Sequence, residues 1–310
     1  MKKTDLLCIG TALVDSIIKG FDPTPISASG YRAASGSLSV GGEAVNEAAT
    51  AVKLGMRTGI LCFLGEDPAG DMILHTLQDL HIDTSLIIRE KEHPTPVTTM
   101  FVQEDGTRRS ITNLAHRYNF HPERFAACFR ETSAILLGSL FRAPFDDPQI
   151  IREVLQKAKE AGILIFADTK LPNFRTLSLA DLKESLPLID YITPNEDEAS
   201  YYTGQETPEE MAEVLLSYGV RNVIIKLGAK GCYFRNANTA IRLPACAVPA
   251  VDATGAGDSF LAGFASELLR GASDAEALRF GNACGALCTT ALGATTALKD
   301  RSQVLQLLDP

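Results

Sequence analysis

Basic charge is in short supply in this chain: 29 Lys and Arg stand against 38 Asp and Glu, a formal net charge of −9. Without a basic excess to meet a phosphate backbone, a nucleic-acid partner is not expected. One bound nucleotide with its metal ion stays compatible with that balance. No Cys-x-x-Cys pair occurs. The seven cysteines lie mostly in apolar runs and read as buried, reduced thiols of a cytoplasmic protein. Cys284 and Cys288 share a helix face by spacing but have no His or carboxylate neighbours to complete a metal site. No apolar run is long enough to cross a bilayer, and the opening Met-Lys-Lys-Thr-Asp-Leu-Leu lacks the apolar region of a signal peptide, so no membrane partner is expected. The first strand lacks G-x-G-x-x-G. Its continuation, Gly10-Thr11-Ala12-Leu13-Val14-Asp15, counts against a nicotinamide oxidoreductase. Repeats and a low-complexity tail are absent too.

What remains is ordinary globular composition, 45% hydrophobic and 22% charged over 310 residues, enough for a core that needs no disulfide or metal. Apolar runs at Leu6–Ile9, Thr58–Leu64, Ala134–Leu137, Ile163–Ala167, Tyr191–Thr193 and Val223–Lys226 read as strands. Helical patterns follow or separate them: a helix from Ala44 stopped by Gly55, then 69–80, 149–161, one near 179–186, one starting at Asn195, 209–218, 258–270 and 275–292. Strand–helix alternation implies a parallel sheet covered on both faces. Two β-rich pieces break the rhythm. The later one carries a hairpin split at Glu104-Asp105-Gly106. If these two extended segments pair, they form a small sheet over the site, a lid that excludes water.

The stretch Asp252-Ala253-Thr254-Gly255-Ala256-Gly257-Asp258 precedes a helical face of Phe260, Leu261, Phe264 and Leu268. Small residues at a helix N-terminus let backbone N–H groups converge, and the dipole favours an anion there. A carboxylate beside an anion hole makes sense as a base that deprotonates whatever attacks the anion, which suggests phosphoryl transfer to a hydroxyl. The plainer alternative is a glycine-rich loop whose Asp258 caps the helix.

Together with Gly41-Gly42-Glu43-Ala44-Val45-Asn46, Asn195-x-x-Glu198 and Lys226-Leu227-Gly228-x-x-Gly231, in that order along nearly the whole chain, this stretch resembles the ribokinase (PfkB) family of carbohydrate kinases. The resemblance implies an α/β fold, a ribokinase-like three-layer α/β/α sandwich with a mostly parallel central sheet and a small β-sheet lid. The body is expected over 1–12, 46–95 and 119–310, the lid over 13–45 and 96–118. It implies ATP with Mg2+, and a homodimer through the lid. By the same resemblance Asp258 is the general base, and the backbone of Gly255, Ala256 and Gly257 is the anion hole. Asp15, Gly42, Glu43 and Asn46 take the substrate. Asn195, Lys226, Gly228, Gly231 and Asn282 take the nucleotide, and Glu198 organises Mg2+ through water. Asp252, with the loop Gly293-Ala294-Thr295, corresponds to a monovalent-cation (K+) site, from which Ala253 removes a hydroxyl. Plainer readings stand beside these: a helix cap for Asn46, a solvated helix face for Glu198, a strand edge for Lys226.

An acid at Glu43 would repel a phosphorylated sugar or a sugar acid, so a neutral sugar, polyol or nucleoside is the expected acceptor. Arg108 and Arg109, on the lid hairpin, point the other way if one turns inward. Tyr31, Phe101 and Tyr118 are candidates to stack a nucleoside base. A non-catalytic sugar-binding regulator on the same fold is the alternative from another class.

Overall fold

A strand covered on both faces needs an unbroken apolar run, and all four residues of β1 (Leu6–Ile9) are buried. The computed structural model describes residues 3–20, 32–103, 108–113, 120–122 and 126–308, with Arg108 and Ala126 by backbone alone. The next strands are β2 (Leu13–Lys19), β3 (Ser35–Gly41), β4 (Thr58–Leu61), β5 (Phe63–Gly65), β6 (Ile88–Glu90), β7 (Val97–Val102) and β8 (Arg108–Thr112). Then come β9 (Ala134–Leu140), β10 (Leu164–Thr169), β11 (Tyr191–Ile192), β12 (Asn222–Lys226), β13 (Cys232–Asn236) and β14 (Ala240–Leu243). The helices are α1 (Glu43–Lys53), α2 (Pro68–Asp79), α3 (Ala126–Phe129), α4 (Pro148–Glu160), α5 (Glu196–Thr203), α6 (Pro208–Ser217), α7 (Ala256–Leu269), α8 (Asp274–Cys288) and α9 (Arg301–Leu308).

The large sheet runs β14-β13-β12-β11-β10-β9-β1-β4. It is parallel from β12 to β4 and closes at the other end with the antiparallel β12–β13–β14 turns. Alternate residues of its strands feed two cores. Leu7, Ile9, Ile135, Leu137 and Ile165 meet Ile151, Val154 and Leu155 of α4 and Met211 and Leu215 of α6. Leu6, Cys8, Leu136, Phe166 and Ile224 meet α1, α7 and α8 on the opposite face. The result is the three-layer α/β sandwich expected from the alternation.

Three expectations need correction. The strand over 58–64 breaks at Cys62, and β5 leaves the large sheet to pair in parallel with β6. The helix near 179–186 is instead two short 3-10 turns, Leu179–Leu182 and Leu186–Leu188. Pro187 disfavours α-geometry at the residue before it, which a continuous helix would need. The helix over 275–292 stops at Cys288, where the Thr289 and Thr290 hydroxyls donate back to the Ala286 and Leu287 carbonyls, competing with continuation. The β13–β14 hairpin and α9 were not anticipated.

The two β-rich segments do pair. Their sheet runs β3-β2-β7-β8, with β2 parallel to β7. Directly opposed residues share a face. Asp15 opposes Ser39 and Thr98, and Thr98 opposes Thr112, so these four lie on one side. The register puts position 108 on that side and Arg109, opposite Phe101, on the other. The Phe101 side carries Val14, Val40 and Val97 against the body. Farther out it exposes Leu38 (61%) and Ile111 (68%). Tyr31, Tyr118, the 104–106 turn and the Arg108 side chain lie outside the described residues.

Candidate active site

The carboxyl ends of parallel strands and the helix N-termini beside them are where such a sheet presents its chemistry. At α7 the N-cap is Gly255, with φ +76. A Cβ there would also stand 2.4 Å from the Ala294 Cβ, so only glycine fits the entry. The N–H groups of the first turn have no partners within the helix, which makes the Gly255–Ala256–Gly257 backbone a donor cradle. A Cβ on Gly257 would lie 3.1 Å from the Lys226 Nζ, which puts an ammonium beside that cradle.

Asp258 makes no capping hydrogen bond. It is buried, and its Oδ2 accepts from the Asn46 Nδ2 at 2.8 Å. Asn46 is likewise no cap: α1 begins at Gly42, whose φ of +101 and 2.5 Å clearance to the Thr11 carbonyl demand glycine. Residues 212 positions apart thus meet in one buried pair.

A second group gathers where β10, β12 and α5 come together. The Lys226 Nζ donates to both Asp168 oxygens, at 2.8 and 2.7 Å, and the Thr193 hydroxyl donates to Asp168 at 3.1 Å. Lys226 is therefore no idle strand edge. Asn195 and Glu198 form a reciprocal capping box at the start of α5. Glu198 is 5% exposed, so it is not a solvated helix face, and the Thr169 hydroxyl donates to its Oε2 at 2.8 Å. Burial, then Asp168, raises its carboxyl above the usual range.

Three members of this cluster escaped the sequence reading. Asp168 is one. Lys170 is the second. Burial opposes its charge, but Asp258, Asp168, Glu43 and Glu198 outweigh burial and hold the ammonium charged. None of them comes within ion-pair distance of it. Its backbone is fixed on both sides, N–H to the Leu140 carbonyl at 2.9 Å and carbonyl from the Tyr202 hydroxyl at 2.6 Å. Glu47 is the third: fully buried, neither oxygen partnered, and pushed well up by burial and then by Asp258 and Asp168. The signal for Asp168 and Lys170 was the one used for Lys226, ionisable residues ending an apolar strand.

On the acceptor side, a cavity of about 440 Å³ opens between the small sheet and the body. Thr98 and Thr112 line it from the sheet, Thr11, Phe63, Arg142 and Asn173 from the body. Asp15 shares the Thr98 face, and burial raises its carboxyl. Asp15, Gly42, Glu43 and Asn46 adjoin this space rather than wall it. The Thr11 N–H and hydroxyl donate to the two Glu43 oxygens at 3.2 and 2.7 Å. Thr11 thus holds the Glu43 carboxylate, which is not among the residues lining the cavity. Arg109 faces away from the cavity.

On the nucleotide side, Gly228 and Gly231 bracket a 3-10 turn between β12 and β13. Gly228 opens to empty space, whereas a Cβ on Gly231 would stand 2.0 Å from the Leu243 carbonyl oxygen. Asn282 lies within α8 and donates to the Pro244 carbonyl at 3.2 Å, tying down the segment after β14. Asp252 accepts from the Thr254 N–H and hydroxyl and from the Gly293 N–H, at 3.0, 2.7 and 2.9 Å. Lys53 donates to the Thr295 carbonyl, and the Cys288 thiol lies against the Thr254 and Ala294 carbonyls. These bonds bring Asp252 and the Gly293-Ala294-Thr295 loop together, where the resemblance places the cation. Among the described residues no group of three or more His, Cys, Asp or Glu could hold a metal by itself. Nor is any described helix long and apolar enough to cross a membrane.

Residues 3–301 match the family described as pfkB family carbohydrate kinase. A ribokinase of Arabidopsis thaliana is 31% identical, over 98% of this chain and 80% of that protein. A 2-dehydro-3-deoxygluconokinase of Bacillus subtilis is 29% identical, over 88% of this chain and 87% of that protein. The structure of Arabidopsis thaliana ribokinase complexed with ribose and ATP superposes with a TM-score of 0.85 at 28% identity, covering 99% of each chain.

Proposed function

The chain belongs to the pfkB family of carbohydrate kinases, and from that premise we propose that it moves the terminal phosphoryl group of ATP to a hydroxyl, expected to be primary, of a small polyhydroxy compound. The observation that carries the reading is one juxtaposition. Asp258 stands in the first turn of α7, gripped by Asn46 from α1, while Lys226 lies against Gly257 of the same turn. A base, a donor cradle and a cation converge on one place.

In this reading the substrate enters under the four-stranded sheet, and Asp258 takes the proton of the attacking hydroxyl. Asn46 keeps the carboxylate aimed. The N–H groups of Gly255, Ala256 and Gly257 receive the negative charge that builds on the transferred group. Lys226 and the turn at Gly228 and Gly231 take the nucleotide phosphates, and Asn282 shapes the far wall of the nucleotide site. Glu198 and Asn195 would hold Mg2+ through water, with the second Glu198 oxygen left over from the capping box. Bound magnesium supplies charge neutralisation of the triphosphate.

The test is ADP release with Mg-ATP against pentoses, hexoses, polyols, nucleosides, sugar acids and sugar phosphates. Release that depends on one acceptor class is expected. Ligand-induced melting shifts with no turnover of any acceptor would replace the kinase by a sugar-binding regulator. A nucleoside as best acceptor would call for a base-stacking wall other than Phe101, which lies on the sheet face away from the cavity.

We also propose a homodimer through the small sheet, supported by the exposed Leu38 and Ile111 on its outer face. Sedimentation of the purified protein is expected to give a dimer, and Leu38→Glu with Ile111→Glu a monomer. A monomeric wild type at micromolar concentration would end that proposal.

A further inference from the structure

The cavity under the small sheet is chemically lopsided. Its sheet wall offers the hydroxyls of Thr98 and Thr112, which both donate and accept. Its body wall carries Arg142 and Asn173, from two turns stitched together. The Arg142 Nε–H donates to the Leu171 carbonyl at 3.1 Å, and the Ala143 N–H donates to the Asn173 Oδ1 at 3.3 Å. The Phe174 N–H donates to that same Oδ1 at 2.9 Å. With the carboxamide oxygen taken by two backbone donors, only the Asn173 NH2 is left to point elsewhere. Arg142 has four more N–H donors and no carboxylate partner. The body wall therefore sets the Arg142 and Asn173 donors side by side, and no side-chain carboxylate lines the cavity among the described residues.

The guanidinium is also set in place beforehand. Arg142 follows Phe141, whose φ of +74 is a costly conformation for a side chain of that size. The Phe141 ring stacks on Tyr202 at 4.0 Å. The Phe141 N–H donates to the Phe145 carbonyl and the Arg142 N–H to the Ser139 carbonyl. With its Nε anchored, the planar fork loses little freedom on meeting a planar or tetrahedral oxyanion, which it matches two bonds at a time.

We propose that the acceptor carries an anionic group, a carboxylate or a phosphate, seated on Arg142 and Asn173 while its hydroxyl reaches Asp258. This rests on the phosphotransferase reading and adds the charge of the substrate to it. The names of the relatives span neutral and acidic sugars and do not choose; the paired donors of Arg142 and Asn173 do. Glu43, held by Thr11, is not among the residues lining the cavity.

The experiment pairs each acid or phosphate with its neutral parent, each member keeping a free primary hydroxyl: gluconate and glucose 1-phosphate with glucose, fructose 6-phosphate with fructose. Acceptor-dependent ADP release and the melting shift are read for wild type, Arg142→Gln and Arg142→Lys. Wild type is expected to favour a charged member by kcat/KM, and the better arm tells carboxylate from phosphate. Arg142→Gln should lower kcat/KM for that acceptor about 100-fold, mostly through KM, and change its neutral parent less than about threefold. Arg142→Lys, which keeps the charge but not the fork, should fall between. A wild type that prefers the neutral parents overturns the proposal. So does an Arg142→Gln loss equal for both members of a pair, or charged ligands that shift the melting of wild type and Arg142→Gln alike. In each of those cases an intact ATP-induced shift leaves the kinase standing. Loss of that shift in wild type would refute the kinase reading itself.

Discussion

Asp258→Asn is expected to bind ATP as the wild type does and to lose about 10³-fold in acceptor-dependent turnover, the scale of a positioned general base. The substitution is nearly isosteric, and the new carboxamide oxygen still accepts the Asn46 Nδ2–H bond now measured at 2.8 Å. The fold at this buried spot therefore has no reason to fail, and a matched melting temperature should confirm that. What disappears is the lone pair that takes the hydroxyl proton. The loss belongs in kcat, because Asp258 contributes nothing attractive to an anionic nucleotide in the ground state. Nucleotide affinity by titration, beside single-turnover rates with the best acceptor, separates the two. A variant that keeps wild-type kcat would move the base elsewhere. Among the neighbours only Glu47 and Glu43 are close along α1, and burial raises both carboxyls.

The parts legible in the sequence were those where backbone geometry leaves one residue type. Gly42 and Gly255 sit at positive φ with less than 3 Å of room for a Cβ, and a pattern of small residues announces such places. The buried strands were legible because a strand covered on both sides has to be apolar throughout. Less was readable where side chains choose their partners across the fold. Glu43 read as an acid facing the substrate, yet Thr11, 32 residues away, engages it. Nor did the sequence show that Asp252 would be held by Thr254 and by Gly293, 41 residues away. Arg142 lies in a turn between Phe141 and Ala143 with no periodicity to mark it. Only the stitching of two distant turns shows where it stands.

Lys170→Met is the second large loss, about 10² to 10³ in kcat, on the scale of removing one preorganised electrostatic donor. The ammonium is charged, yet no single acid claims it. Asp258, Asp168, Glu43 and Glu198 hold it from four elements, whereas Lys226, the neighbouring cation, is paired with Asp168. A cation that feels both the base and Glu198, without an ion-pair partner among the described residues, is suited to meet the phosphoryl group in flight. Lys170→Arg should recover part of the rate, since it restores charge on a different stem. A merely structural lysine would show itself through pH. Lys170 lowers the carboxyls of Glu43, Glu47 and Glu198, while burial raises all three. Without it their folded-state values climb further above the unfolded ones. An acid raised in the folded state contributes its full stability below the unfolded value, near 4.3 for Glu. That contribution is lost as pH rises toward the folded value. The melting deficit of Lys170→Met should therefore be small near pH 5 and widen toward pH 8. The kcat deficit should persist at pH 6, where the fold is less affected than at pH 8. A turnover loss that tracks the melting deficit across that range, and vanishes with it, would leave Lys170 as a counter-charge for the acids and nothing more.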